Sequence, residues 1–312
     1  MPSVVTAQSH ELAASFAGLL ARQLRGSVVT DDYFRADHSA LWAVIAGGGW
    51  LDLAVPEADG GGGLTLPDLT AVAEAWGRHI IPLPLTPALV LRGIPAVRAA
   101  AAPADILTTA VPGGGVQLVP RPGCGPARYV SWPVPEGRPG GDPVLAGLPA
   151  GLAADDFAPS LPLGVASESS GIPGQEALAR LAVLWAAEAV GAAAAAFRVA
   201  FDYAGVRVAF GRRIAEFQAV KHRVADMYER LELARTAVLW AANTAPAGHQ
   251  RGVRLAVTLA REVAEGAIQV MGGMGFTWEA GIHFYLRHIL AVGRLTGPAG
   301  VAATAAGGGR AA

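Results

Sequence analysis

A single cysteine, Cys124, stands in the whole 312-residue chain. One thiol cannot close an internal disulfide, and Cys124 has no metal ligands near it in sequence, so neither a disulfide scaffold nor a metal site is expected. Charge is also scarce: charged residues make up 16% of the chain, and 24 Lys+Arg against 25 Asp+Glu leave a net charge of −1. Without a basic patch, nucleic acid is not an expected partner. Residues Met1–Ser15 lack the positive region and apolar core of a secretory leader, which makes a cytoplasmic protein the default expectation. The best membrane-span candidate, Leu181–Phe201, is interrupted by Glu188 and Arg198 and owes its bulk to alanine. Alanine gains little from lipid but lets helices approach closely, so a buried core helix is expected and no membrane. What the chain has in excess is apolar residues, at 52%. Burial between subunits is the natural outlet for that surplus.

Three textures follow one another. Residues 1–108 read as helices joined by short turns. Within them Trp42, Val44, Ile45, Trp50 and Leu51 cluster around the Gly47–Gly49 stop, and Gly60–Gly63 must be a loop. Thr65-Leu-Pro-Asp68 carries the signature of a capped helix start, followed by Leu69, Val72, Ala73 and Trp76 on one face. Residues 109–173 are dense in glycine and proline, with short candidate strands at Val116–Val119 and Tyr129–Val134. The turn signals favour a reduced β domain over a loose linker. From 174 to 312 the helical pattern returns. Phe217, Val220, Val224, Met227, Leu231, Ala234 and Val238 form an apolar stripe at alternating three- and four-residue spacing, as on a bundle helix. Further helices are expected at Gly252–Val270, ended by Gly272, Gly273 and Gly275, and at Ala280–Ala291, with a disordered tail over 297–312.

Two segments offer chemistry. Arg207-Val-Ala-Phe210-Gly211-Arg212-Arg213, then Phe217-Gln218, sets clustered arginines before a new helix. Guanidinium forks beside a helix N-terminus suit a phosphate, although solvated surface arginines satisfy the same pattern. Gln269-Val-Met-Gly272-Gly273-Met-Gly275-Phe276 places glycines after a helix. Such a turn lets the backbone approach a flat or charged ligand, or simply stops the helix.

Taken together, in this order and spacing, the two segments resemble the acyl-CoA dehydrogenase family's Arg, Phe-Gly-Arg, Phe-Gln-Ala element and its Gln, Gly-Gly, Gly-Phe element. The stretch Gly49-Trp-Leu-Asp-Leu-Ala-Val-Pro-Glu57 followed by Gly60-Gly-Gly-Gly-Leu64 resembles that family's first-domain signature. The resemblance covers about 35–100 and 175–295. It implies a mainly α fold: an N-terminal helical domain (1–108), a reduced middle β domain (109–173) and a C-terminal four-helix bundle (174–312). It also implies FAD, bound between subunits. Arg207, Phe210 and Gln218 would reach a flavin cofactor held mainly by the neighbouring subunit, with Arg207 at the pyrophosphate, while Gln269, Gly272 and Gly273 would lie against its nucleotide half. The implied reaction is α,β-dehydrogenation of an acyl-CoA thioester, in which a carboxylate takes the α-proton and the β-hydride passes to the flavin. Electron-transfer flavoprotein is the implied acceptor.

The sequence departs from this pattern at the base. One branch of the family carries it after the last bundle helix, but Ala291-Val-Gly-Arg-Leu-Thr-Gly297 has no carboxylate. Another carries it early in the first bundle helix, where this chain has Leu181; the nearest helix carboxylate is Glu188, one heptad on and on about the same face. Glu188 is therefore the candidate base, with a paired structural carboxylate as the competing reading, and Glu279 is a further candidate near the flavin. The middle region also lacks the family's Thr-Glu-Pro, Gly-Ser-Asp and Trp-x-Ile-x-Gly elements. Shortened members resembling this chain occur in bacterial α2β2 heterotetramers acting on CoA thioesters of bulky substrates, notably steroids. A second acyl-CoA dehydrogenase-like subunit would then supply the base. A self-sufficient homo-oligomer, or a non-catalytic scaffold or acyl-CoA-binding subunit, remain the alternatives.

Overall fold

The computed structural model describes residues 7–109, 111–112, 117–120, 127–131, 143–147, 153–155, 157–166, 175–244 and 246–297. The expectations for Cys124 and for the tail from 298 onward lie outside the described residues. Among the described residues six α-helices come first: α1 (Ala7–Gln23), α2 (Asp31–Arg35), α3 (Ser39–Gly47), α4 (Leu66–Gly77), α5 (Leu85–Arg92) and α6 (Pro95–Ala100). Helix α4 begins where its capping signature places it. The Thr65 N–H donates to the Asp68 carboxylate at 3.2 Å, satisfying a donor that a helix start would otherwise strand. Upstream, the amides of Gly62, Gly63 and Leu64 hydrogen-bond back onto the carbonyls of Asp52, Val55 and Leu53, so the glycine run folds against its own preceding segment.

Among the described residues seven short strands follow: β1 (Ile106–Thr109), β2 (Val111–Pro112), β3 (Gln117–Pro120), β4 (Ala127–Ser131), β5 (Val144–Gly147), β6 (Ala153–Asp155) and β7 (Leu163–Ala166). They make two sheets, ordered β1-β4-β5 and β2-β3-β7-β6. All pairings in them are antiparallel except β1 with β4, where Ile106 faces Ala127 in parallel register. The long helices come last: α7 (Gln175–Val206), then a hairpin of β8 (Val208–Ala209) and β9 (Arg212–Arg213), α8 (Gln218–Ala242), α9 (Pro246–Met271) and α10 (Ile282–Leu295). Helix α10 runs past the expected Ala291 stop, because Ala291, Val292 and Leu295 are buried and draw another turn into the core.

Helix α7 is the axis of the molecule, packing against α4, α5, α8, α9 and α10. It is long and apolar enough to cross a membrane by composition, yet 67% of its most apolar stretch is buried inside the fold. Ala186, Ala187, Ala189, Ala192, Ala193, Ala196 and Ala200 are all enclosed, and their small side chains admit neighbours at short range. Trp76 of α4 and Trp185 of α7 fill the space beside them. Each such fully buried large side chain contributes roughly 1.5–3 kcal/mol of transfer free energy.

Glu74 pins α4 to α8. Its Oε1 accepts from Arg235 Nη2 at 2.8 Å and from Arg78 Nη2 at 2.9 Å. Burial pushes the Glu74 carboxyl upward, but the hydrogen bonds and charges of Arg235 and Arg78 outweigh it and hold the group below the usual carboxylate range. A carboxyl with a depressed folded pKa stabilises the fold above its unfolded value of 4.5, and that contribution disappears as pH falls through the lower folded value. Acid titration of stability is therefore expected to be steeper below about pH 4.5 for the native chain than for Glu74→Gln. Superimposable acid limbs in urea-unfolding series at several pH values would show that this network carries no linked stability.

Candidate functional site

Helix α7 ends in a tight hairpin that delivers the arginine-rich segment to the surface. The Arg207 N–H donates to the Tyr203 carbonyl at 2.8 Å, and the Arg207 carbonyl accepts from the Ile214 N–H at 2.8 Å. Between these anchors Val208 pairs with Arg213 and Ala209 with Arg212. The two-residue turn is Phe210–Gly211, with φ of +51° and +79°. Positive φ at both central positions is the type I′ geometry that matches strand twist. Glycine adopts it freely, whereas for phenylalanine the left-handed region costs about 1–2 kcal/mol. The strained residue is also 96% exposed. Strain retained at an aromatic that is almost wholly exposed is a pointer to a binding role.

Arg207, Arg212 and Arg213 are exposed, and among the described residues no ion pair involves them. Gln218 is the first residue of α8 and is exposed. The opening amides of a helix have no partner within it, so this turn offers donors beside the guanidinium groups.

Helices α8 and α9 run antiparallel, tied by Arg230 Nε to Glu262 Oε2 at 3.0 Å. Ala219, His222 and Arg223 of α8 and Gln269 of α9 consequently line one polar groove of about 660 Å³. Helix α9 stops at Met271, and Gly272 follows with φ of +59°. Gly273 and Gln269 are exposed, and Phe276 and Trp278 project into solvent beyond them. The fold thus gathers the start of α8, next to the hairpin, and the Gln269–Gly273 turn at the same end of the bundle.

Glu188 lies elsewhere. It is 3% exposed, deep in α7. Its Oε2 accepts from the Thr86 hydroxyl of α5 at 2.7 Å, and its Oε1 stands 3.2 Å from His288 Nε2 of α10. The other ring nitrogen, Nδ1, lies 3.0 Å from the hydroxyl of Ser160, itself buried just before β7. Four segments distant in sequence meet in this enclosed chain of polar groups, which sequence reasoning did not find. The one local hint was a carboxylate on an apolar helix face. Glu279 sits exposed on the turn before α10.

The apolar stripe of α8 is covered only in its second half. Met227, Leu231, Ala234 and Val238 are buried, whereas Phe217, Val220 and Val224 remain half-exposed. Val220 and Val224, with Phe197 and Phe201 of α7 and Tyr228, line an apolar groove of about 600 Å³ next to the hairpin.

Comparison with known proteins accords with this architecture. Residues 174–306 match the description "Acyl-CoA dehydrogenase, C-terminal domain". The chain is 32% identical over 291 residues to acyl-CoA dehydrogenase FadE34 of Mycobacterium tuberculosis, covering 83% of this chain but only 40% of that protein. It is 31% identical over 298 residues to acyl-CoA dehydrogenase IpdE2 of the same organism, covering 88% of this chain and 86% of the relative. Two solved structures share the fold, each with a TM-score of 0.70. The Tcur3481-Tcur3483 steroid ACAD variant is 24% identical, with 96% of this chain and 97% of that one covered. The ChsE4-ChsE5 complex of Mycobacterium tuberculosis is 19% identical, with 98% and 99% covered. Near-full-length similarity to IpdE2, and a bundle that begins at the same residues as the matched C-terminal domain, give one conclusion: the chain belongs to the acyl-CoA dehydrogenase family.

Proposed function

We propose that this chain is one subunit of a heteromeric, FAD-dependent enzyme that dehydrogenates an acyl-CoA thioester between its α and β carbons. The observation that carries the proposal is the hairpin: Arg207, in no ion pair among the described residues, and a strained, exposed Phe210, next to Gln218 at an open helix start. A non-catalytic scaffold has no physical need to maintain that arrangement. The donor set fits a dinucleotide, with guanidinium forks and helix amides for a pyrophosphate and an aromatic ring for a flat heterocycle. Arg207 would hold the pyrophosphate, Phe210 and Gln218 the adjoining flavin part, and Gln269, Gly272 and Gly273 the nucleotide half. When bound, FAD supplies the hydride acceptor for the β-carbon.

The uncovered half of the α8 stripe and the neighbouring groove supply an apolar seat for the subunit that holds most of the flavin. A second acyl-CoA dehydrogenase-like chain fits that seat, and it would contribute the base, Glu188 being enclosed by Thr86 and His288. The pairing named in the ChsE4-ChsE5 complex and the steroid named for the Tcur3481-Tcur3483 protein support a two-chain enzyme and a bulky, steroid-like acyl group. Electron-transfer flavoprotein is the acceptor this reading entails.

In the assembly co-purified with its partner chain, Arg207→Ala is expected to weaken flavin retention tenfold or more, since charge-assisted hydrogen bonds of about 1.5–3 kcal/mol are lost. The measurement is bound FAD per assembly after desalting, by absorbance. Full retention together with unchanged turnover would point instead to the scaffold.

A further inference from the structure

We propose that Arg212 and Phe217 form a cation–π clasp that fixes the aim of the β8–β9 hairpin, with Arg212 a positioning residue rather than a ligand for the cofactor. The inference rests on the reading that this hairpin meets the flavin.

The hairpin has only two residue pairs, and a ribbon that short does not hold its shape in water unaided. Its turn carries a phenylalanine in the left-handed region, which adds to the need for an outside restraint. That restraint comes from the start of α8. The Arg212 guanidinium carbon lies 4.0 Å from the centre of the Phe217 ring. The Phe210 ring meets the same ring edge-on, at 6.2 Å between centroids and 84° between planes. One aromatic ring therefore meets both the second strand and the tip. Phe217 directly precedes Gln218, so the clasp also sets the hairpin relative to the first turn of α8.

Electrostatics separates Arg212 from Arg207. A cation beside a helix N-terminus is disfavoured by the helix dipole, and among the described residues no carboxylate pairs with Arg212. The ring face is the attraction that keeps Arg212 there. Arg207 is held through its backbone, and no ring contact engages its guanidinium among the described residues.

The test compares Phe217→Leu, which keeps apolar bulk but removes the π face, with Phe217→Tyr, which restores it. Amide hydrogen exchange is measured on the chain itself, at the hairpin amides and at Ile214, whose N–H holds the Arg207 carbonyl. In Phe217→Leu these amides are expected to exchange about fivefold faster, and in Phe217→Tyr to match the native chain. With the partner chain present, FAD retention is expected to fall about fivefold for Leu and to be unchanged for Tyr. Unchanged exchange in Phe217→Leu overturns the clasp. Faster exchange with full FAD retention overturns its role in aiming the hairpin, provided that Arg207→Ala loses flavin. If Arg207→Ala retains flavin as well, the reading beneath has failed and the clasp's cofactor role falls with it.

Discussion

Gly191→Ala is expected to destabilise the fold by about 3 kcal/mol, the upper end of what an added methyl costs in a packed core. A Cβ at Gly191 of α7 would stand 2.1 Å from the Glu74 carbonyl oxygen of α4. One turn away the relation reverses, and a Cβ at Gly77 of α4 would stand 1.9 Å from the Glu188 carbonyl oxygen of α7. The two helices cross in backbone contact, and neither obstructing atom is the flexible end of a side chain. The helices would have to separate along their whole seam, giving up dispersion contacts around Trp76 and Trp185. Gly77→Ala is expected to cost as much. The double variant should cost less than the sum, because once the helices have parted the second methyl enters opened space. Gly205, on the same helix with nothing within 4 Å of its would-be Cβ, is the control. Gly205→Ala should be neutral or stabilising by up to about 1 kcal/mol through helix propensity alone. Urea-unfolding midpoints at a common slope decide the matter. A loss below about 1 kcal/mol at Gly191 would mean that the crossing yields easily and is not what fixes α7.

That crossing shows how far the sequence could be read. Alanine-rich Leu181–Phe201 was legible as a core helix, since bulk and charge are properties of the segment itself. So were the capped start of α4 and the order of the arginine and glycine segments, whose meaning is local or shared with a family. Partners were not legible. The α8 stripe has one periodicity from Phe217 to Val238, yet the fold covers it only from Met227 onward. Period identifies an apolar face without saying what lies on it. The strain at Phe210 was equally hidden, because Phe-Gly can turn in several ways and only its pairing with Ala209 and Arg212 selects one. The parallel pairing of β1 with β4 has no local signal at all. For Glu188 the neighbours in sequence were visible, but its partners Thr86 and His288 lie on other helices, with Thr86 102 positions away.

Those partners set the second large effect: Glu188→Ala is expected to cost about 2–3 kcal/mol, because a buried hydroxyl loses its acceptor and a buried imidazole its neighbour. His288 Nε2 stands 3.2 Å from one Glu188 oxygen without hydrogen-bond geometry, Nδ1 lies 3.0 Å from the Ser160 hydroxyl, and Thr86 donates to the second carboxylate oxygen. Deleting the carboxylate strands the buried Thr86 hydroxyl and removes the one carboxylate beside His288 Nε2. Glu188→Gln preserves volume and an acceptor for Thr86, so its cost should be clearly smaller. It also separates structure from chemistry. A general base exchanged for an amide loses at least two to four orders of magnitude in the proton-transfer step. A carboxylate that only ties α5, α7 and α10 together leaves that step nearly untouched once the protein is folded. The deciding measurement is the rate of flavin reduction by acyl-CoA in a single turnover of the partnered enzyme, set beside the urea midpoint. Stability lost with rate retained assigns Glu188 to the frame, and a partner carboxylate must then take the α-proton. A rate collapse at unchanged stability would return the base to this chain, since an enclosed carboxylate of no mechanical importance has no other reason to matter.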